Sequence, residues 1–154
     1  MATTIVPSDL IVTITEAYTL NGVSYGNTMN KTYASNGQVS QRVMSIASEG
    51  DGGTWTDILA LLTVDGQGEV VKADYKYFRI TNLDTANTLN LRVYNGSDYV
   101  ALGVSPASTQ LFMDAGIDSP VGTGAITLAD ITAIAGQSRH ATEAIDVEFI
   151  MVTA

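Results

Sequence analysis

The sequence predicts an all-β fold, an antiparallel β-sandwich with a jelly roll as its nearest variant. Three observations lead there. Apolar residues alternate with polar ones at a period of two, most cleanly at Leu89-Leu91-Val93 and Ile145-Val147-Phe149-Met151. Clusters of Gly, Asn, Asp and Pro divide the chain into short segments, as turns require. Only 15% of residues are charged, against about 25% in an average globular domain, so Thr, Ser, Asn and Gly must supply most of the polar surface. A chain of 154 residues is long enough for one domain with a sizeable core. The expectation is a single domain over 1–154 with a short N-terminal arm over about 1–8 and no internal repeat.

In chain order, Leu10 to Thr15 reads as a strand with Leu10, Val12 and Ile14 on one face. The following LNGVSYGNTMNKTYASNG reads as a long polar excursion with turn signals at Asn21-Gly22 and Asn36-Gly37, and Val23 and Tyr25 as a short edge strand between them. Val39 to Ala47 is the next strand, with Val39, Gln41, Val43 and Ser45 on one side and Met44 and Ile46 on the other. Gly50 to Gly53 breaks it. Trp55 to Thr63 is apolar on both sides and fits either a central strand or a short helix.

Val70 to Leu83 reads as one long strand whose apolar side switches at Tyr77-Phe78, where a β-bulge would account for the change. Asp84 to Asn87 turns the chain, and Leu89 to Val93 alternates. Tyr94 to Tyr99 reads as a hairpin end, and the strand returning from it stops near Pro106. Thr109 to Met113 is a short strand and Asp114 to Gly124 a loop. Ile126 to Ile134 fits a bent strand or a helical turn, and Gly136 to His140 a polar turn. The chain closes on Ile145 to Val152. There Ile145, Val147, Phe149 and Met151 face inward, and a segment this apolar must pair inside a sheet.

Charge and composition remove several function classes. The net charge of -9 repels nucleic-acid backbones and anionic lipid, and there is no Lys/Arg cluster. There is no cysteine, hence no disulfide and no thiolate chemistry. The first residues carry neither a basic region nor a long apolar run, so no signal peptide is expected and synthesis in a cytoplasm is. The sequons at Asn30 and Asn95 then read as accidental.

The one histidine, His140, stands beside Arg139 in a turn, and no G-x-S-x-G elbow exists to make it part of a triad. Three acidic, Gly-rich loops could supply oxygen ligands to Ca²⁺: Glu49-Gly50-Asp51, Asp65 to Glu69, and Asp114 with Asp118. None has EF-hand spacing, and turns require the same residues. No pair of carboxylates has a reason to sit at glycosidase spacing. The expectation is a non-enzymatic protein with no catalytic residue, no metal site and no cofactor.

YFRITNLDTANTLNLRV, from Tyr77 to Val93, resembles a strand–turn–strand pattern of small virion proteins of tailed bacteriophages. The likeness extends over Tyr75 to Val104 and, more weakly, Leu128 to Val152. It implies a structural protein of the virion that decorates or cements the capsid or joins head to tail. The implied partners are the major capsid protein or other virion proteins, the implied assembly a homo-oligomer such as a trimer, and the implied location the virion, after synthesis in the host cytoplasm. A tail-tube role is less natural in that setting, because tube subunits carry a long hairpin that inserts into neighbours.

Independently of the likeness, Asn82, Asp84 and Asn87 are of the kind that caps turn amides. Little charge beside 45% hydrophobic residues points to a surface that packs on other protein. Candidate contact segments are Thr3 to Ser8, the Val23 to Asn36 excursion and the Asp114 to Thr123 loop. The alternative is a carbohydrate- or receptor-binding module using Trp55 or the tyrosines.

Overall fold

The computed structural model describes residues 8–50, 53–62, 70–71, 75–94, 99–113 and 132–153. Eleven strands lie in them: β1 Ser8–Leu20, β2 Val23–Asn36, β3 Gln38–Ile46, β4 Thr56–Leu62, β5 Val70–Val71, β6 Tyr75–Asn82, β7 Leu89–Tyr94, β8 Tyr99–Val104, β9 Thr109–Met113, β10 Ala133–Ser138 and β11 Ile145–Thr153. They form a β1-β2 hairpin, a five-stranded sheet in the order β5-β4-β10-β7-β8 and a four-stranded sheet in the order β3-β11-β6-β9. Every pairing is antiparallel except the short parallel contact of β4 with β5. The protein is all-β, as its alternation predicts.

The two larger sheets share one apolar cluster. Ile58, Leu59, Leu89, Leu91, Val93, Val104 and Ile134 come from the five-stranded sheet, and Ile46, Phe78, Ile80, Phe112, Ile145, Val147, Phe149 and Met151 from the four-stranded one. The closing strand β11 lies inside its sheet between β3 and β6, with the alternating set Ile145, Val147, Phe149 and Met151 buried. Strand β3 has the expected faces: Ile46 is buried, Met44 packs against the core, and Val39 and Val43 point the other way.

Four sequence expectations need correction. The Val23–Asn36 excursion is a regular strand of 14 residues, and β1 runs on to Leu20. Asn21 and Gly22 have φ of 52° and 78°, the positive pair that closes a two-residue hairpin with the right twist. Gly136 to Ser138 is not turn but the second half of β10, which sits between β4 and β7. It is buried despite its polarity because Gln137 donates to the Thr54 carbonyl, all three residues pair with β7, Gly136 also pairs with β4, and the Ser138 amide donates to the Ala47 carbonyl.

The stretch from Val70 to Leu83 is not one strand, since β5 and β6 belong to different sheets. Trp55 to Thr63 takes the strand form rather than the helical one, as β4, with Ile58 and Leu59 both buried. The expectations for Thr3 to Pro7, Asp65 to Glu69, Asn95 to Asp98 and the Asp114 to Gly124 loop lie outside the described residues.

Gly136 lies where side chains from both neighbouring strands and from the opposite sheet converge. A Cβ there would lie 2.9 Å from Ile58 Cδ1, 3.0 Å from Leu89 Cδ1 and 3.4 Å from Ile46 Cδ1. The first two stand on the flanking strands β4 and β7 and the third on the opposite sheet, so these side-chain ends must shift to admit a methyl group. Gly136→Ala is expected to cost about 1–3 kcal/mol through overpacking, read as a lower urea midpoint. An unchanged midpoint would mean that the core accommodates the methyl group.

The turn after β6 is built by side chains, partly as expected. Asp84 Oδ1 accepts from the amides of Asn87 and Ala86 at 2.6 and 2.7 Å, whereas the Asn87 side chain donates to Glu143 instead of capping. The Asn87 amide first, then the Ala86 amide, holds the Asp84 carboxyl below its ordinary value. A carboxyl depressed on folding stabilises above its unfolded pKa of about 4, and that contribution fades as pH falls through the folded value. Asp84→Asn should therefore flatten stability against pH in that acid window. An identical acid limb in both proteins would contradict this.

Candidate protein-contact surface

The β1-β2 hairpin is a two-faced ribbon because its register pairs like with like. Leu10 faces Tyr33, Val12 faces Lys31, Ile14 faces Met29, Glu16 faces Asn27, Tyr18 faces Tyr25 and Leu20 faces Val23, and period-two alternation puts this set on one side. The other side carries the pairs Thr13 with Asn30, Thr15 with Thr28, Ala17 with Gly26 and Thr19 with Ser24, and among the larger apolar residues only Ile11. One face is thus apolar and the other mostly Thr, Ser and Asn.

Among the described residues, the four-stranded sheet covers the base of the apolar face. Leu10, Val12 and Tyr33 pack with Tyr77, Leu111, Ile150 and Val152, the outward side chains of the four-stranded sheet. The Tyr33 and Tyr77 rings lie 6.0 Å apart, and burial pushes the Tyr77 phenol above its usual pKa while Arg79 pulls it the other way. Tyr77 and Phe78 are both buried because β6 is covered on both faces, which explains the apolar switch.

The expected bulge is nearby. The pairing of β6 with β11 shifts between Tyr77 and Tyr75, and Lys76 there donates to the Ala34 carbonyl at 2.8 Å. Asn36 pins the ribbon's root, its amide donating to the carbonyls of Ser8 and Tyr33, both at 2.8 Å.

Beyond that root the apolar face is open. Tyr18, Leu20, Val23, Tyr25 and Met29 are 44–60% exposed, and the Tyr18 and Tyr25 rings stack at 5.2 Å. A groove of about 180 Å³ opens between Ile14, Glu16, Asn27 and Met29. From Ile14 to Leu20 this is about 20 Å of ribbon. A two-stranded hairpin is only marginally stable in water unless its apolar face is covered. From Thr13 to Asn30 it carries a single charge, Glu16.

A second surface lies on the outward side of the five-stranded sheet. The Arg92 guanidinium lies 4.8 Å from the ring centre of Trp55, 5.2 Å from Tyr99 and 5.3 Å from Tyr94. Sequence reading singled out those aromatics but missed the arginine that the β7-β8 register brings among them. Arg92 Nε is buried without a hydrogen-bond partner.

His140 sits in the turn before β11, where its Nδ1 accepts from the amides of Thr142 and Glu143 at 3.3 and 3.0 Å. That places it in a local capping role. Among the described residues no three His, Asp or Glu side chains converge as metal ligands.

Of the candidate contact segments, Val23 to Asn36 is half of the ribbon. The other half, Thr15 to Leu20, was not legible as strand, although Leu20-Asn21-Gly22-Val23 is a hairpin signal. Comparison of the chain with protein-family models, with curated proteins and with solved structures gives no match in any of the three.

Proposed function

We propose that this chain is a non-enzymatic structural protein of a tailed-bacteriophage virion, acting through protein–protein contacts that decorate or cement the capsid. The observation that carries the reading is the apolar face of the β1-β2 ribbon, open from Ile14 to the Asn21-Gly22 turn. Exposed apolar surface on this scale marks a contact site. The phage assignment itself rests on the Tyr77 to Val93 resemblance. The finer fold proposed is a β-sandwich, supported by the single cluster that both larger sheets feed.

The ribbon also removes the ground on which a tail-tube role was set aside, since that objection was the want of a long hairpin. A connector or tube position therefore stands beside capsid decoration. Electron microscopy of the particle that contains the chain tests the reading. Density for the chain is expected against a neighbouring virion protein, with the ribbon at the contact. Its absence from the particle would overturn the assignment.

A carbohydrate- or receptor-binding role is the second reading, favoured by the exposed Tyr99 beside Trp55, Tyr94 and Arg92. Specific glycan binding by a monomer without affinity for emptied shells would favour it over the first.

A further inference from the structure

We infer that the open part of the ribbon seats on a second copy of this chain, over Val39 and Val43 on the outer face of β3. This deepens the protein-contact reading and rests on it. The first ground is continuity. The apolar face that goes uncovered at Ile14 is the one that, at Leu10, Val12 and Tyr33, already packs on the outer face of the four-stranded sheet. Its chemistry fits that sheet face. The protein's own base contact occupies the sheet at β6, β9 and β11, and leaves its β3 side open.

The second ground is that opening. Strand β3 is the edge of its sheet, nine residues long, and Val39 and Val43 are each 64% exposed on the face in question. Val39 pairs directly with Val152, a member of the covered patch, so the two apolar areas are contiguous. Proteins normally blunt or cover so long an edge. Here an uncovered edge and an uncovered ribbon occur in one chain.

Charge is the third ground. Copies with a net charge of -9 repel one another, and Thr13 to Asn30 is a surface where that repulsion is least. Its one charge, Glu16, lies on the apolar face beside the groove, while on β3 the exposed Arg42 stands on the other face from the two valines, opposite Phe149 in the register. Ribbon on edge is a head-to-tail contact, which closes into a ring or continues as a filament.

The absence of cysteine makes the test clean. Met29→Cys and Val43→Cys, both at exposed positions, are prepared as separate full-length proteins, mixed, and oxidised. A disulfide-linked dimer is expected in the mixture and in neither variant alone. Val43→Glu should weaken self-association, because it puts a charge under the apolar face of the ribbon.

A Met29→Cys protein that links to itself would overturn the proposal in favour of a tip-to-tip contact. An oligomer that forms no mixed disulfide would overturn it in favour of another surface. A chain that stays monomeric but binds emptied shells would overturn it while leaving the broader reading standing. A monomer that binds no shell would remove both.

Discussion

Asn82→Asp is expected to destabilise the protein by about 3–5 kcal/mol at neutral pH, the range for a buried charge left without a partner. Asn82 is fully buried at the end of β6, and the two N–H groups of its amide are shared among three carbonyls, those of Asn87, Val104 and Ser105, at 2.9, 3.1 and 3.3 Å. Its oxygen accepts from the Asp84 amide at 3.1 Å. One side chain thereby ties β6, the turn after it and the end of β8 together.

A carboxylate has the same shape but no donor, so three carbonyl oxygens would face a negative charge. Asn82→Ala removes the donor without adding charge and should cost less. The deficit of Asn82→Asp should also shrink as pH falls, because the protonated acid can donate one of the lost bonds. Urea unfolding of both variants at neutral and acid pH measures this. Equal stabilities for the two variants at every pH would contradict the three-carbonyl arrangement.

Phe149→Ala should cost about 3–5 kcal/mol, the usual loss for a fully buried ring. Phe149 is 3% exposed at the middle of β11, and its ring lies 6.1 Å from that of Phe78 on the neighbouring strand. Strand β11 pairs with β3 on one side and β6 on the other, so a cavity here loosens the centre of the four-stranded sheet. A loss below about 1 kcal/mol would be a surface value and would contradict the burial.

Both of these residues were visible in the sequence, for different reasons. Phe149 sits in a segment whose period-two alternation admits one assignment of faces, so strand, inward side and interior position follow together. Asn82 was expected to cap a turn, and it does so through its oxygen. The contacts of its nitrogen could not be foreseen, because they bring in Val104 at the end of β8 and Ser105 just after it.

The ribbon was half legible. Leu10, Val12 and Ile14 alternate clearly, but Glu16 interrupts the apolar set on the first strand, and Asn27 and Lys31 interrupt it on the second. Composition therefore suggested loop where the Asn-Gly turn and the pairing register make strand. The length of the hairpin, and the fact that its root is covered while its tip is not, depend on contacts with β6 and β11 that no local pattern records. Strand β10 was missed for a similar reason. Gly136, Gln137 and Ser138 look like turn residues, yet at Gly136 the side chains of Ile58 and Leu89 on the flanking strands fill the space a Cβ would need, and the buried Gln137 finds a carbonyl to bind.

The central claim is that the ribbon is the surface by which this chain packs against protein, a second copy of itself first of all. Sedimentation velocity over a range of concentrations, comparing the full chain with one in which Thr15 to Thr28 is replaced by Asn-Gly, tests it most directly. The replacement leaves Ile14 opposite Met29 across a two-residue turn, the same geometry that now joins Leu20 to Val23. The account predicts that the full chain associates and that the shortened chain, with its core unfolding transition unchanged, stays monomeric. A shortened chain that associates as strongly as the full one would contradict it.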